Sequence, residues 1–216
     1  MEYIKRSFKH FTHLTLEEAK LADSNMMNKH YVSPIQLMEI AGYQTALFIE
    51  RYSPSKILIL CGSGNNGADG LVAAKYLHQM GKSVHIKLVN SSSKNELYSQ
   101  HIKTTKSLKI PYVQHVEYSN YDIIVDAMLG VGIRGECRLN IQKIISHLNT
   151  LKTNIVSLDM PTGITSSLSL NANKTLTYGY PKENFIYENH CCGDIFLIDI
   201  GLNPTLIPSQ SKKYYY

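Results

Sequence analysis

No apolar run in this chain approaches the length of a bilayer span, and the N-terminus lacks the hydrophobic core of a secretory signal peptide, so no membrane association is expected. Cysteine is scarce. The four residues Cys61, Cys137, Cys191 and Cys192 show neither a C-x-x-C nor a zinc-type spacing, which argues against a disulfide framework and for a reduced, cytoplasmic setting. Internal repeats are missing, as is any linker rich in Pro, Gly or Ser. With 216 residues, 44% of them hydrophobic, the chain can bury one sizeable core and is expected to form one domain over 1–216. Charge is low too: the formal net value is +5, and short basic patches occur only at Lys5-Arg6, Lys9 and Lys212-Lys213. That balance suits an anionic small molecule and makes nucleic acid an unlikely partner. The opening "MEYIKRSFKHF" is expected to be a flexible basic tail over 1–12, with organelle targeting as its alternative reading.

What is present is a regular alternation. Thr15-x-x-Glu18 and Ser33-Pro34-x-Gln36 are capping-box patterns at the heads of two helices, "TLEEAKLADSNMMNK" and "SPIQLMEIAGYQTALFIE". After them come "KILILC", "GLVAAKYLHQM", "SVHIKLV", "NELYSQHIKTTKSL", "YDIIVDAM", "RLNIQKIISHL" and "NIVSLDM", read as strand and helix in turn. Short, nearly continuous apolar strands between amphipathic helices imply a mostly parallel sheet buried on both faces, an α/β fold. "TLTYG" and "GDIFLIDIG" read as further strands, with "ITSSLSLNANK" and "YPKENFIYENHCC" as loops.

Gly62-Ser-Gly64-Asn-Asn-Gly67 fits G-x-G-x-x-G between a strand and a helix, where backbone amides can meet phosphate. A dehydrogenase of that type needs an acid at the end of its second strand to hold the ribose. Here that strand ends "IKLVNSSS", without a carboxylate. Asp69, just past the last loop glycine, would repel a phosphate. Two more strand ends carry acids beside glycine-rich turns: Asp126 before Gly130, Gly132 and Gly135, and Asp159 before Pro161, Thr162 and Gly163. In an open parallel sheet all three loops meet at the carboxyl edge, the usual place of a ligand crevice.

In the order and spacing of "GSGNNGADGLVAAKYL", "VDAMLGVGIRG" and "SLDMPTG", the chain resembles the N-terminal YjeF-type domain family, whose enzyme members are NAD(P)H-hydrate epimerases. The resemblance implies a three-layer αβα Rossmann-like sandwich, commonly homodimeric, that interconverts the R and S forms of hydrated NADH and NADPH (NADHX and NADPHX). It implies no redox cofactor, and a separate NAD(P)HX dehydratase as functional partner. Carried over by position, the substrate contacts are Asn65, Asn66, Gly67, Ala68 and Asp69, then Gly130, Val131, Gly132, Ile133, Arg134, Gly135 and Glu136, and Asp159. A potassium ion would be held by Asn66, Asp126 and Thr162, oxygen-bearing groups of the kind hard cations take. Its charge would also offset carboxylates that otherwise repel a pyrophosphate. Asp126 and Asp159 are the candidate acid-base residues. The competing reading keeps Asp126 as a cation ligand alone and Asp159 as a hydrogen-bond acceptor alone. The chain departs from the family pattern at Ile40 (for Asn), Ala68 (for Gly) and Thr162 (for Ser). Lys182 matches a family lysine, but is expected on the solvated surface. The alternative function is a catalytically inactive dimeric scaffold or ligand-binding module of the same fold.

Overall fold

The computed structural model describes residues 4–5, 13–89, 95–131 and 135–202. Both capping boxes form. Thr15 Oγ1 accepts from the Glu18 N–H at 3.1 Å and Glu18 Oε2 accepts from the Thr15 N–H at 2.8 Å, starting α1 (Leu16–His30). Ser33 and Gln36 repeat the exchange ahead of α2 (Pro34–Glu50).

The described residues contain seven strands: β1 (Ile4–Lys5), β2 (Lys56–Cys61), β3 (Ser83–Leu88), β4 (Ile123–Ala127), β5 (Asn154–Leu158), β6 (Lys174–Tyr178) and β7 (Asp194–Ile198). They form one sheet in the order β1-β7-β6-β5-β4-β2-β3. Six strands are parallel, and β1 pairs antiparallel with β7 at the edge. Ile4 and Lys5 thus take a place in the sheet within a segment expected as a tail.

Period-2 alternation sends strand side chains into two cores. On one face Ile57, Ile59 and Val125 pack with Phe48 of α2 and Leu71 of α3 (Asn65–Gln79), reaching α4 (Glu96–Ser107) through Tyr98. On the other, Leu58, Leu60 and Ile124 pack with Ile141, Ile145 and Leu148 of α5 (Leu139–Leu148). Burial on both faces is what the uninterrupted apolar strands require.

The chain leaves β2 toward β3 on one side, while β4 lies on the other, so the strand order reverses between β2 and β4. A crevice opens at such a reversal, beyond the carboxyl ends of the strands. Two departures from expectation bear on that edge. Helix α3 begins at Asn65, five residues before the periodic apolar segment, because the Ala68 N–H already bonds the Gly64 carbonyl at 3.1 Å. The region expected as loop after β6 contains a short helix, α6 (Asn184–Tyr187), preceded by a parallel bridge between Leu14 and Lys182.

Candidate active site

The glycines of the first loop act by what they lack. A Cβ on Gly67 would lie 2.0 Å from the Gly62 carbonyl oxygen, and one on Gly62 would lie 1.8 Å from that of Met128. Bare backbone therefore lets α3 start against the turn after β2, and lets that turn rest on the strand end of β4. The N-terminus of α3 faces a cavity of about 560 Å³ lined by Ser63, Gly64, Asn65 and Asn66. Free N–H groups at a helix start favour an anion there. Asn65 is oriented from outside, its Oδ1 accepting from Asn95 Nδ2 at 2.8 Å.

The rest of the cavity wall brings together residues distant in sequence. Asp159, at the end of β5, holds a left-handed backbone with φ 64°. Its Oδ1 is 2.6 Å from Lys182 Nζ, and its Oδ2 accepts from the Val131 N–H at 3.3 Å. The same carboxylate thereby ties the second glycine loop to the chain beyond β6. A non-glycine residue held left-handed is a cost that functional sites often carry. Lys182 is 3% exposed, which corrects the expectation of a solvated lysine. It spends its remaining donors on Thr177 Oγ1 at 2.9 Å and the Tyr178 carbonyl at 3.1 Å. The residues on either side of it are stitched to the segment before α1, the Leu14 N–H donating to the Pro181 carbonyl and the Glu183 N–H to the Leu14 carbonyl, both at 2.9 Å. Tyr178 lines the cavity with its hydroxyl 2.8 Å from Thr45 Oγ1.

Carboxyl groups crowd this wall. Burial pushes Asp69 well above the ordinary carboxylate range; Asp159 and Asp23 add to the rise and Lys182 opposes it. Asp23, reaching the cavity from α1, is pushed up to about 6 by burial; Lys182 pulls it back and Asp159 adds to the rise. Like charges in one enclosure cannot all ionise at ordinary cost, so each carboxylate formed there makes the next harder to form.

Asp126 is elsewhere. It is fully buried below the cavity and does not line it. Each of its oxygens accepts one backbone N–H and one hydroxyl: Oδ1 from Met128 N (3.1 Å) and Thr162 Oγ1 (2.6 Å), Oδ2 from Thr162 N (2.9 Å) and Ser157 Oγ (2.8 Å). Burial raises this carboxyl above its ordinary value, and the four donated bonds oppose the rise. Asp126 thus pins the loop after β5 to the end of β4.

A family model described as YjeF-related protein N-terminus matches residues 34–184. The chain belongs to that family. A protein of Entamoeba histolytica named NAD(P)H-hydrate epimerase is 40% identical over 156 residues, covering 70% of this chain and 70% of its own. One of the same name from Dictyostelium discoideum is 36% identical over 160 residues, covering 69% and 68%. A yeast protein with a solved crystal structure superposes with a TM-score of 0.74 at 26% identity, covering 82% of this chain and 85% of its own.

Of the family-derived substrate positions, Asn65, Asn66, Asp69, Gly130, Val131 and Asp159 line the cavity. Gly67 and Ala68 do not; Gly67 is pressed on Gly62, and the Ala68 methyl, which the sequence puts near the ligand loop, is fully buried in the core. Glu136 also lies off the cavity, its carboxylate accepting from Ser167 N and Oγ, while the Gly135 carbonyl accepts from Ser166 Oγ at 2.9 Å. These bonds anchor the foot of the second glycine loop. Gly132, Ile133 and Arg134 lie outside the described residues. Asp23 and Tyr178 also line the cavity, though neither is among the site positions carried over from the family. Asp23 lies in an ordinary amphipathic helix, and Tyr178 ends an ordinary strand.

Proposed function

We propose that this cavity binds hydrated NADH and NADPH and interconverts their R and S forms, which makes the chain an NAD(P)H-hydrate epimerase, an isomerase without a redox cofactor. The single observation that carries the reading is the α3 N-terminus opening, together with Asp159 and Lys182, into one cavity at the switch point, in a chain whose relatives bear that name. The helix start suits the pyrophosphate, and the paired acid and base suit a ring whose stereocentre must be inverted. No ribose-binding acid follows β3 among the described residues, which suits a dinucleotide that is bound without hydride transfer.

Potassium belongs to the same proposal. Among the described residues no group of three or more His, Cys, Asp or Glu side chains is arranged for a metal ion, so a cation would rest on amide and hydroxyl oxygens as well. Asn66 fits this demand: it is 8% exposed, and among the described residues neither polar atom of its side chain has a hydrogen-bond partner. An orphaned buried amide oxygen beside an all-oxygen set suits a hard monovalent cation. Asn66, Asp126 and Thr162 would hold it, and its charge would ease the approach of the pyrophosphate to a wall of carboxylates. Asp126, with its oxygens already engaged by four donors, would give up one of those bonds to ligate a cation, and lying off the cavity it is poorly placed for proton transfer. Asp159, which faces the cavity, keeps the acid-base role.

The proposal extends to a homodimer, to a separate dehydratase that consumes one epimer, and to a cytoplasmic location. Among the described residues no helix is long and apolar enough to cross a membrane.

The test is chiral separation of NADHX isomers incubated with and without the purified protein. Faster R/S equilibration than in buffer is expected, with no oxidation of added alcohols or reduction of aldehydes. Equilibration at the buffer rate would remove the epimerase reading.

A further inference from the structure

The sheet is lopsided about the point where its order reverses. Only β2 and β3 stand on one side of that point, with β3 at the sheet edge, while β4, β5, β6 and β7 stand on the other. A sheet that carries a dinucleotide across such a crevice is built from two three-stranded halves, one for each nucleotide. The order with a single strand beyond the first seats a mononucleotide, as with flavin mononucleotide, at the reversal. This chain has the second order. One nucleotide-binding half is complete, and the other stops a strand short at β3.

The cavity follows the complete half. From the α3 N-terminus it runs past Gly130, Asp159, Tyr178 and Lys182 to Ile200 and Leu202, which stand at or beyond the ends of β4, β5, β6 and β7. Among the described residues none from the end of β3 or from α4 lines it. Polar groups on that side are already engaged with one another. Val89, just after β3, donates its N–H to the Cys61 carbonyl at 2.9 Å, and its own carbonyl accepts from Asn140 Nδ2 at 2.9 Å. Asn95, the N-cap of α4, accepts from the Tyr98 N–H at 3.1 Å and donates to Asn65 Oδ1 at 2.8 Å, bridging the starts of α4 and α3. With no carboxylate at the end of β3, nothing among the described residues is set to hold an adenosine ribose.

We propose that recognition stops at the nicotinamide mononucleotide half of the substrate. The hydrate of reduced nicotinamide mononucleotide (NMNH) is then itself a substrate, and NADHX and NADPHX are turned over alike, because the extra phosphate of NADPH lies outside the site. The proposal rests on the epimerase reading of the cavity.

The smaller ligand carries everything the site addresses. Both the stereocentre to be inverted and the phosphate nearest to it belong to the mononucleotide. The α3 N-terminus suits that phosphate, and Asp159 with Lys182 stands farther along the same cavity. Binding energy from a remote part of a substrate reaches the reacting centre only where the protein grips that part. An adenosine left in solvent lowers no barrier, and its removal costs little.

The experiment follows R/S equilibration of NMNH hydrate, NADHX and NADPHX by chiral separation, with buffer rates subtracted, and compares NMNH with AMP by calorimetric titration. The kcat/KM for NMNH hydrate is expected within about tenfold of that for NADHX, and that for NADPHX within about threefold. NMNH should bind, and AMP should neither bind comparably nor displace it. NMNH hydrate at the buffer rate beside fast NADHX overturns the proposal and leaves the epimerase reading standing. So does a preference between NADHX and NADPHX of more than about tenfold, or AMP binding as tightly as NMNH, since either places the adenosine half in a site of its own. All three hydrates at the buffer rate refute the epimerase reading itself, and the substrate claim falls with it.

Discussion

Replacing Asp126 by Asn separates a structural carboxylate from a catalytic one, because the geometry sets the cost in advance. Each carboxylate oxygen accepts one hydroxyl and one backbone N–H: Thr162 Oγ1 with Met128 N on one side, Ser157 Oγ with Thr162 N on the other. An amide has one acceptor oxygen and one NH₂. Whichever way it is turned, the NH₂ meets one hydroxyl, which can rotate and accept, and one backbone N–H, which cannot. One buried donor is left unpaired at about 1–3 kcal/mol, and the surviving bonds lose their charge assistance, for a total of about 3 kcal/mol. For a chain of this size that lowers Tm by roughly 6–12 °C. Differential scanning fluorimetry of purified Asp126→Asn at pH 7.5 measures it, with Ser157→Ala as a milder control that removes one donor together with its demand. Saturating potassium should recover much of the epimerase rate if the carboxylate serves only to hold a cation and the loop. A Tm within about 2 °C of wild type would refute the reasoning, since the two unswappable N–H donors would then not constrain the site.

Much of the fold was legible because it is carried by local signals: two capping boxes, uninterrupted apolar runs in β2 and β4, and strand ends marked by Gly and Asp. The start of α3 was not, since Asn65, Asn66 and Gly67 read as loop residues. In a first helical turn the N–H groups are unpaired in any case, so low propensity costs little there, and Gly67 is required by its contact with Gly62 rather than by flexibility. The site was half legible. Residues adjacent to glycine turns, such as Asp159 and Asn66, could be read from spacing. Lys182 could not be placed, because its burial depends on the bridge to Leu14, a pairing between segments 168 positions apart that no local pattern encodes. Asp23 was not singled out, because it is an exposed side chain of α1 whose place beside the cavity depends on how that helix packs.

The remaining predictions follow from the same contacts. Lys182→Met should cost about 3–5 kcal/mol in stability and abolish equilibration, because it strands the Asp159 carboxylate against Asp69 and Asp23; an unchanged melting curve would sink the ion-pair argument. Gly67→Ala should fail to fold or lose NADH binding, since its methyl would meet the Gly62 carbonyl oxygen at 2.0 Å; full NADH affinity in a folded variant would count against the packing given for α3. In the native protein none of the four cysteines should react with an aromatic disulfide reagent on the minute scale, as all are free and buried, whereas the denatured chain should release four equivalents. The last prediction concerns Asp69→Asn and stability against pH. The folded carboxyl titrates above its unfolded value, so its contribution is fully present below the ordinary Asp range and is lost as pH rises through the raised value. An amide of the same shape has no charge to bury. The variant should therefore match wild type in Tm near pH 4 and exceed it at pH 8, while losing activity if the retained proton serves the substrate. A Tm difference that does not change between those two pH values would mean that Asp69 is ionised in the fold at no cost, and that the crowding of carboxyls around Lys182 does not hold protons at neutral pH.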